Sequence, residues 1–187
     1  HARYCAQMIT QKMGGKGIHP DCAVPGGWSK PMTRDELAQI KPMADECMDF
    51  ALYAIDFAKK DIFPRYLDTV KSFALINTGF MGTVKDGVLN LYDGDLRLMY
   101  QDGSFEDFKP QDYLDHIREH VEGWTYLKFP YSKKAGAFSM DLDAPSGIYR
   151  TNALARVNVC ERIATPKAQA ELEEFRSLFG RPAQQTL

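Results

Sequence analysis

The stretch from Gly79 to Phe108 constrains the fold of this chain more than any other. It contains three Asp-Gly pairs, beginning at Asp86, Asp93 and Asp102, and each lies between short runs in which apolar and polar residues alternate. Asp-Gly favours tight turns with positive φ, and alternation is typical of strands that bury one face. The pattern predicts an antiparallel β-meander with three turns.

Two helical patterns precede the meander. Apolar residues recur at helical spacing over residues 3–13, and Thr33 with Glu36 forms the capping-box pattern that begins a second helix. Pro42 lies inside this second pattern, where its ring lacks a hydrogen-bond donor and collides with the preceding turn. We therefore expect the second helix to split or kink near Lys41.

Helical patterns also follow Pro64 and cover residues 110–124 and 166–179. Residues 132–147 lack a period and contain turn residues such as Gly136, Pro145 and Gly147, which predicts a loop. We predict an α+β fold in which helices at both ends pack around a small antiparallel β-meander. The predicted organisation is a single domain over 1–187, with 1–75 mainly helical, 76–108 forming the meander, and 109–187 mixing helix and loop.

Charge and hydropathy exclude two classes of partner. Lys and Arg number 23 against 25 Asp and Glu, a net charge of -2, which argues against a broad surface for nucleic acid. No apolar run approaches the ~20 residues that span a bilayer, so we expect no membrane span. The chain starts within a helical pattern, without an initiator Met or a signal-peptide pattern, and we expect it to be a piece of a longer protein.

The four cysteines limit the metal and redox chemistry that this chain can support. Cys5, Cys22, Cys47 and Cys160 form no Cys-x-x-Cys pair and have no histidine at zinc-finger spacing. So few cysteines in a chain of this length favour reduced, buried thiols and a cytoplasmic location.

Residues 116–120 match H-x-x-E-H, the pattern of inverted zinc peptidases. On a helix, His116 and His120 would share one face, and Glu119 between them could act as a general base. A third ligand would have to come from elsewhere, for example from residues 166–179. A zinc metallohydrolase therefore stays open, beside the simpler interpretation of two histidines on an amphipathic helix.

Four segments carry a resemblance to a known family. Residues 14–27 read G-G-K-G-I-H-P-D-C-A-V-P-G-G, and residues 90–97 read N-L-Y-D-G-D-L-R. Residues 124–131 read W-T-Y-L-K-F-P-Y, and residues 147–160 contain G-I-Y-R and L-A-R-V-N-V-C. In this order they resemble the middle of nickel–iron hydrogenase large subunits. The resemblance is closest to the cytoplasmic branch that couples hydrogen to NAD or a similar soluble carrier.

The resemblance implies a parent enzyme that interconverts H2 with protons and electrons at a nickel–iron centre. It also implies partners, namely diaphorase-type electron-transfer subunits and an iron–sulfur small subunit. The family holds its metals through two Cys-x-x-Cys motifs, and neither is present in this chain. We therefore expect a scaffold segment that is inactive alone and holds no metal or cofactor. A metal-free interaction module is a further alternative.

His19 is the residue that we single out for function. It lies in the loop of residues 14–27, where glycines permit unusual backbone paths and Pro20 and Pro25 stiffen the chain. The resemblance implies that this loop lies where the large subunit meets the iron–sulfur subunit. We predict that His19 supports electron or proton passage without binding metal. The alternative is that its imidazole hydrogen-bonds the backbone of its own loop.

Overall fold

The computed structural model of the chain describes residues 1–73, 75–141, 143 and 146–185. Its contacts divide the chain into two compact units, His1–Leu67 and Asp68–Leu187. The first unit is mainly helical, and the second combines antiparallel sheets with helices. The predicted α+β class is therefore confirmed. The single-domain organisation stays a prediction.

The first unit is built on two helices that pack against each other. The first helix ends at Gly15, whose φ of 77° is the left-handed conformation that glycine adopts readily. A short hairpin separates the two helices, and the second helix continues through a π-helical segment into a third. The elements are α1 (Ala2–Gly14), β1 (Ala23–Val24), β2 (Gly27–Trp28), α2 (Arg34–Phe57), the π-helical segment (Ala58–Ile62) and α3 (Phe63–Ser72), whose residues from Asp68 onward belong to the second unit.

The start of α2 follows the sequence prediction, but its interior does not. The Glu36 amide donates to Thr33 Oγ1 at 3.2 Å, and the Thr33 amide donates to Glu36 Oε2 at 2.9 Å. The predicted split near Lys41 is wrong, because α2 runs through Pro42 as one helix, while a kink there stays a prediction. Pro42 has no amide hydrogen to donate to the Ala38 carbonyl four residues earlier. Both residues are exposed, so water can bond to that carbonyl instead.

The second unit has antiparallel strands where the meander was predicted, but the predicted strand order is wrong, because β5 pairs with β3 and not with β4. Its sheet has the strand order β4-β3-β5-β6, and β9 pairs in parallel with the start of β3. Asp86 and Gly87 turn between β3 and β4 with φ of 52° and 76°. The strands are β3 (Gly79–Lys85), β4 (Val88–Leu89), β5 (Asp95–Met99), β6 (Phe105–Phe108) and β9 (Tyr149–Arg150).

Helix α5 (Ala153–Val159) packs against this sheet, and α6 (Pro166–Phe179) contributes Leu172 to the same core. Gly82 makes the close approach of α5 possible, because a Cβ there would lie 2.8 Å from Val159 Cγ2. Helix α6 is confirmed, while α5 was not predicted. The buried core joins the sheet and both helices through Phe80, Val84, Met99, Leu154, Ala155, Val159, Cys160, Leu172 and Ala183.

A buried asparagine helps to attach the chain beyond α6 to the core. Asn158, on α5, is 1% exposed. Its Nδ2 donates to the Ala183 carbonyl at 2.9 Å, and its Oδ1 accepts from the Ala183 amide at 2.8 Å. The side chain therefore pairs with a buried backbone segment as a neighbouring strand would.

The helix predicted over 110–124 is wrong. After a 3-10 turn (Pro110–Asp112), only α4 (Tyr113–His116) is helical, and β7 (Ile117–Val121) pairs with β8 (Lys128–Ser132). A spacing of four between apolar residues fits a strand as well as a helix, so pairing with β8 decides the conformation. Residues 133–141 form turns and loop as predicted, and Pro145 lies outside the described residues.

Candidate functional site

The glycine-rich loop between α1 and β2 is fixed to the end of α1. Trp28 Nε1 donates to the Met13 carbonyl at 3.0 Å, and Gln7 Nε2 donates to the Gly17 carbonyl at 2.5 Å. Gly14 is buried, and a Cβ at this position would lie 2.2 Å from Pro20 Cβ. The glycine lets Pro20 pack on the last turn of the helix. The loop therefore has a fixed base.

His19 lies at the outer part of this loop and is exposed. Its φ is 50°, a left-handed conformation that is uncommon for residues other than glycine. Among the described residues, its imidazole makes no hydrogen bond, so the alternative in which the ring bonds its own loop is not what the structure shows. The backbone presents the ring to solvent.

A cleft of about 520 Å³ lies between the end of α1 and the start of α2, and His19 does not line it. Lys30 Nζ lies 2.5 Å from Glu36 Oε1 at its edge. The Lys30 hydrogen bond, followed by those from Thr33, lowers the pKa of Glu36 to about 2. Carboxylate and ammonium neutralise each other here, so the cleft offers no unpaired charge at Glu36.

The cysteines do not assemble a four-thiolate site. Cys5 and Cys47 lie on α1 and α2, Cys22 lies in the loop, and Cys160 is buried in the core of the second unit. Within the described part of the chain, one group of three metal-ligating side chains lies close together, and it contains only one thiol. The residues present therefore do not fit the nickel–iron centre that the resemblance implies.

The H-x-x-E-H motif does not lie on one helix. His116 ends α4, and its Nδ1 lies 3.2 Å from Glu106 Oε1. His120 lies in β7, and its Nε2 lies 2.7 Å from Glu122 Oε1. Each ring also stacks on a phenylalanine, with centroids 4.0 and 4.5 Å apart. The shared helix face, on which the zinc hypothesis depended, is absent.

Two arginines, which the sequence reasoning missed, organise the second unit: Arg97 is buried and Arg150 is half-buried. Arg97 is 5% exposed, and it contacts Asp107 at 2.7 Å and Glu161 at 3.0 Å. The Asp107 hydrogen bond raises the pKa of Arg97. Arg150 Nη2 donates to Gln184 Oε1 at 2.7 Å. Each arginine is the last residue of a segment that carries the family resemblance. That position in the sequence is the feature by which both arginines could have been found.

No protein-family model matches the chain. Individual relatives do. The matching subunit of the vhu F420-non-reducing hydrogenase of Methanococcus voltae is 39% identical over 186 residues, which is 99% of this chain and 42% of that protein. The NAD-reducing hydrogenase HoxS subunit beta of Cupriavidus necator is 32% identical over 198 residues, covering 99% of this chain and 38% of that protein.

A solved structure agrees with these relatives. An NAD+-reducing [NiFe]-hydrogenase in the H2-reduced state superposes with a TM-score of 0.81 at 29% identity, over 98% of this chain and 40% of that one. Over nearly its whole length, the chain resembles a segment of nickel–iron hydrogenase subunits. It spans about two fifths of the length of the relatives that it matches. None of the described helices is both long and apolar enough to cross a membrane.

Proposed function

We propose that the chain is a central scaffold segment of a nickel-dependent hydrogenase whose parent protein interconverts H2 with protons and electrons. The observation that carries this proposal is the match over 99% of the chain to a hydrogenase subunit, with a TM-score of 0.81 to a solved hydrogenase. Relatives of two kinds, F420-non-reducing and NAD-reducing, support transfer of electrons to NAD or another soluble carrier.

The proposed role of this segment is structural support. The nickel–iron centre of the parent is assigned to residues outside the chain, because the cysteines described here do not provide the thiolates. The isolated segment should therefore not turn over hydrogen. Its contribution is a helical unit that holds the His19 loop and a sheet unit that Arg97 and Arg150 hold together.

The partners that we propose are diaphorase-type electron-transfer subunits and an iron–sulfur small subunit. Large exposed apolar side chains support contact with further protein, including Trp124 at 69% and Tyr126 at 94% exposure. A cytoplasmic location is proposed because all four cysteines are free thiols.

We assign His19 a supporting role in proton or electron passage. The support is its geometry: an exposed imidazole on a loop with a fixed base, in a backbone conformation uncommon for histidine. An imidazole exchanges protons readily near neutral pH. Its exposure leaves both ring nitrogens accessible to a partner or to water.

The parent protein, with its flanking sequence, is the test of this function. We expect it to retain nickel and to reduce both NAD+ and an artificial dye with H2, whereas the 187-residue chain catalyses no exchange between H2 and water protons. A parent without nickel and without turnover would contradict the proposal and favour the metal-free interaction module.

His19→Ala in the parent tests the supporting role. Turnover should fall while nickel content stays unchanged. Ile18→Ala is the matched control, because Ile18 is the exposed neighbour in the same loop and carries no titratable group. Unchanged turnover in His19→Ala would reject the role, and loss of nickel would show that the residue supports the fold.

A further inference from the structure

We propose a Zn²⁺ site in the first unit, formed by the imidazole of His1, the thiolate of Cys5 and the carboxylate of Glu46. The ligand atoms of these three side chains lie within 4.8 Å of one another. His1 Nε2 lies 3.1 Å from Glu46 Oε1, and Cys5 Sγ lies 3.5 Å from Glu46 Oε2. The site does not depend on the proposed hydrogenase function.

The backbone brings these ligands together in two steps. His1 caps α1 and Cys5 follows one turn later, with the Cys5 amide donating to the His1 carbonyl at 3.1 Å. The packing of α1 against α2 then places Glu46 opposite both. Lys12 Nζ contacts Gln39 Oε1 at 2.7 Å further along the two helices, so their register is fixed at a second point. Two packed helices hold the ligands.

Two of the ligand separations are close to those of zinc coordination. Bonds of about 2.3 Å to sulfur and about 2.0–2.1 Å to nitrogen or oxygen, at tetrahedral angles, place neighbouring ligand atoms roughly 3.3–3.6 Å apart. His1 Nε2 lies 3.1 Å from Glu46 Oε1 and Cys5 Sγ lies 3.5 Å from Glu46 Oε2, so a rotation of the exposed carboxylate would let one oxygen join both other ligands on an ion. A nitrogen, a sulfur and an oxygen form a borderline donor set, which suits Zn²⁺ better than Mg²⁺ or Ca²⁺.

The three ligands differ in exposure, so the site has a closed side and an open side. Cys5 is 2% exposed and forms its floor, while His1 and Glu46 are exposed and leave a path for the ion. Three protein ligands leave the fourth tetrahedral position to water. Without an ion, burial and then the Glu46 hydrogen bond raise the pKa of Cys5, so the thiol holds its proton.

Charge also balances at this site. On binding, the Cys5 S–H bond breaks, a sulfur–zinc bond forms, and the proton passes to solvent. The thiolate and the Glu46 carboxylate together carry two negative charges, which neutralise the ion, and neutral His1 donates its lone pair. No oxidant or reductant is needed.

Cys47 supplies a matched control. It follows Glu46 on α2, but its thiol contacts the Ala2 carbonyl at 3.6 Å and does not belong to the ligand group. Cys47→Ser therefore removes a neighbouring thiol without removing a ligand. His116→Ala is a second control, since it tests the histidine motif of the second unit.

Co²⁺ is the spectroscopic probe for this site, titrated into the reduced chain carrying an initiator Met before His1, so that the terminal amine of His1 does not compete. We expect saturation at one equivalent, visible bands of tetrahedral Co²⁺, and a near-ultraviolet thiolate-to-cobalt band, all removed by one equivalent of Zn²⁺. Cys5→Ser should remove the thiolate band, and His1→Ala and Glu46→Gln should each weaken binding by more than about 10-fold.

Both control variants should bind as the unchanged chain does. Absence of the thiolate band, its survival in Cys5→Ser, or its loss in Cys47→Ser would overturn the site. Tighter binding of Ni²⁺ than of Zn²⁺ would overturn the choice of metal. Far-ultraviolet circular dichroism checks that each variant keeps its helices. Since His1 is exposed, His1→Ala decides the outcome if Cys5→Ser unfolds.

Discussion

Replacement of Asn158 by leucine should destabilise the second unit strongly. The leucine has a similar size but cannot donate to the Ala183 carbonyl or accept from the Ala183 amide, and both bonds are buried. A buried polar group without a partner costs about 1–3 kcal/mol. Because two groups lose their partner in a residue that is 1% exposed, we expect a loss of about 2–6 kcal/mol in the free energy of unfolding.

Urea unfolding followed by circular dichroism measures this loss, and hydrogen exchange locates it. The Ala183 amide should lose protection in Asn158→Leu, because its acceptor is removed. Asn77→Leu is the control: Asn77 is exposed, and among the described residues its side chain makes no hydrogen bond. The control should change stability by less than about 0.5 kcal/mol.

A free energy of unfolding of Asn158→Leu within about 0.5 kcal/mol of that of the control would contradict the role assigned to Asn158. It would mean that water or another group satisfies Ala183 when Asn158 is absent. Protection of the Ala183 amide that survives in Asn158→Leu would lead to the same conclusion.

Three further predictions concern the first unit. Gly14→Ala should destabilise it by about 1–3 kcal/mol in urea unfolding, because the added methyl group collides with Pro20, whereas Gly123→Ala, with open space around it, should be neutral. The pKa of Glu36 is about 2 in the folded chain against an ordinary 4.5, so its carboxylate stabilises the fold at neutral pH, and this stabilisation should disappear as pH falls from about 4.5 towards 2. The free energy of unfolding of the unchanged chain and of Glu36→Gln, compared at each pH of an acid titration, measures the effect. A difference between the two chains that does not change with pH would contradict it. The exposed apolar side chains of α2 should bind a hydrophobic dye and promote self-association of the chain. No dye fluorescence, together with a strict monomer in light scattering, would argue against an exposed apolar face on α2.

The parts of the fold that were predicted correctly depend on local chemistry. The Thr33 capping box and the Asp86 turn are decided by residues within one turn of each other, so the sequence contains their whole cause. β7 is different. Its apolar spacing fits both periods, and its partner strand, which decides the conformation, contains Pro130, a residue that argues against a strand in the sequence.

The same distinction applies to the sites. The prolines that stiffen the His19 loop and the glycines that permit its backbone path are its neighbours in sequence, and the structure shows the loop fixed at its base. The group of His1, Cys5 and Glu46 could not be found in this way. His1 and Cys5 have the spacing of one helical turn, but Glu46 is 41 residues from Cys5, and only the register of α1 against α2 brings it near.

The parallel pairing of β9 with β3 has a consequence for synthesis on the ribosome. Gly79 meets Tyr149, which emerges about 70 residues later, or about 4–14 s at roughly 5–20 residues per second. During that interval Phe80 lacks the arginine that later lies 4.8 Å from its ring, and one end of the β3 edge has no partner. A nascent chain paused between these strands would expose a core aromatic beside an open strand edge, which is the kind of surface that chaperones bind and that aggregates form from.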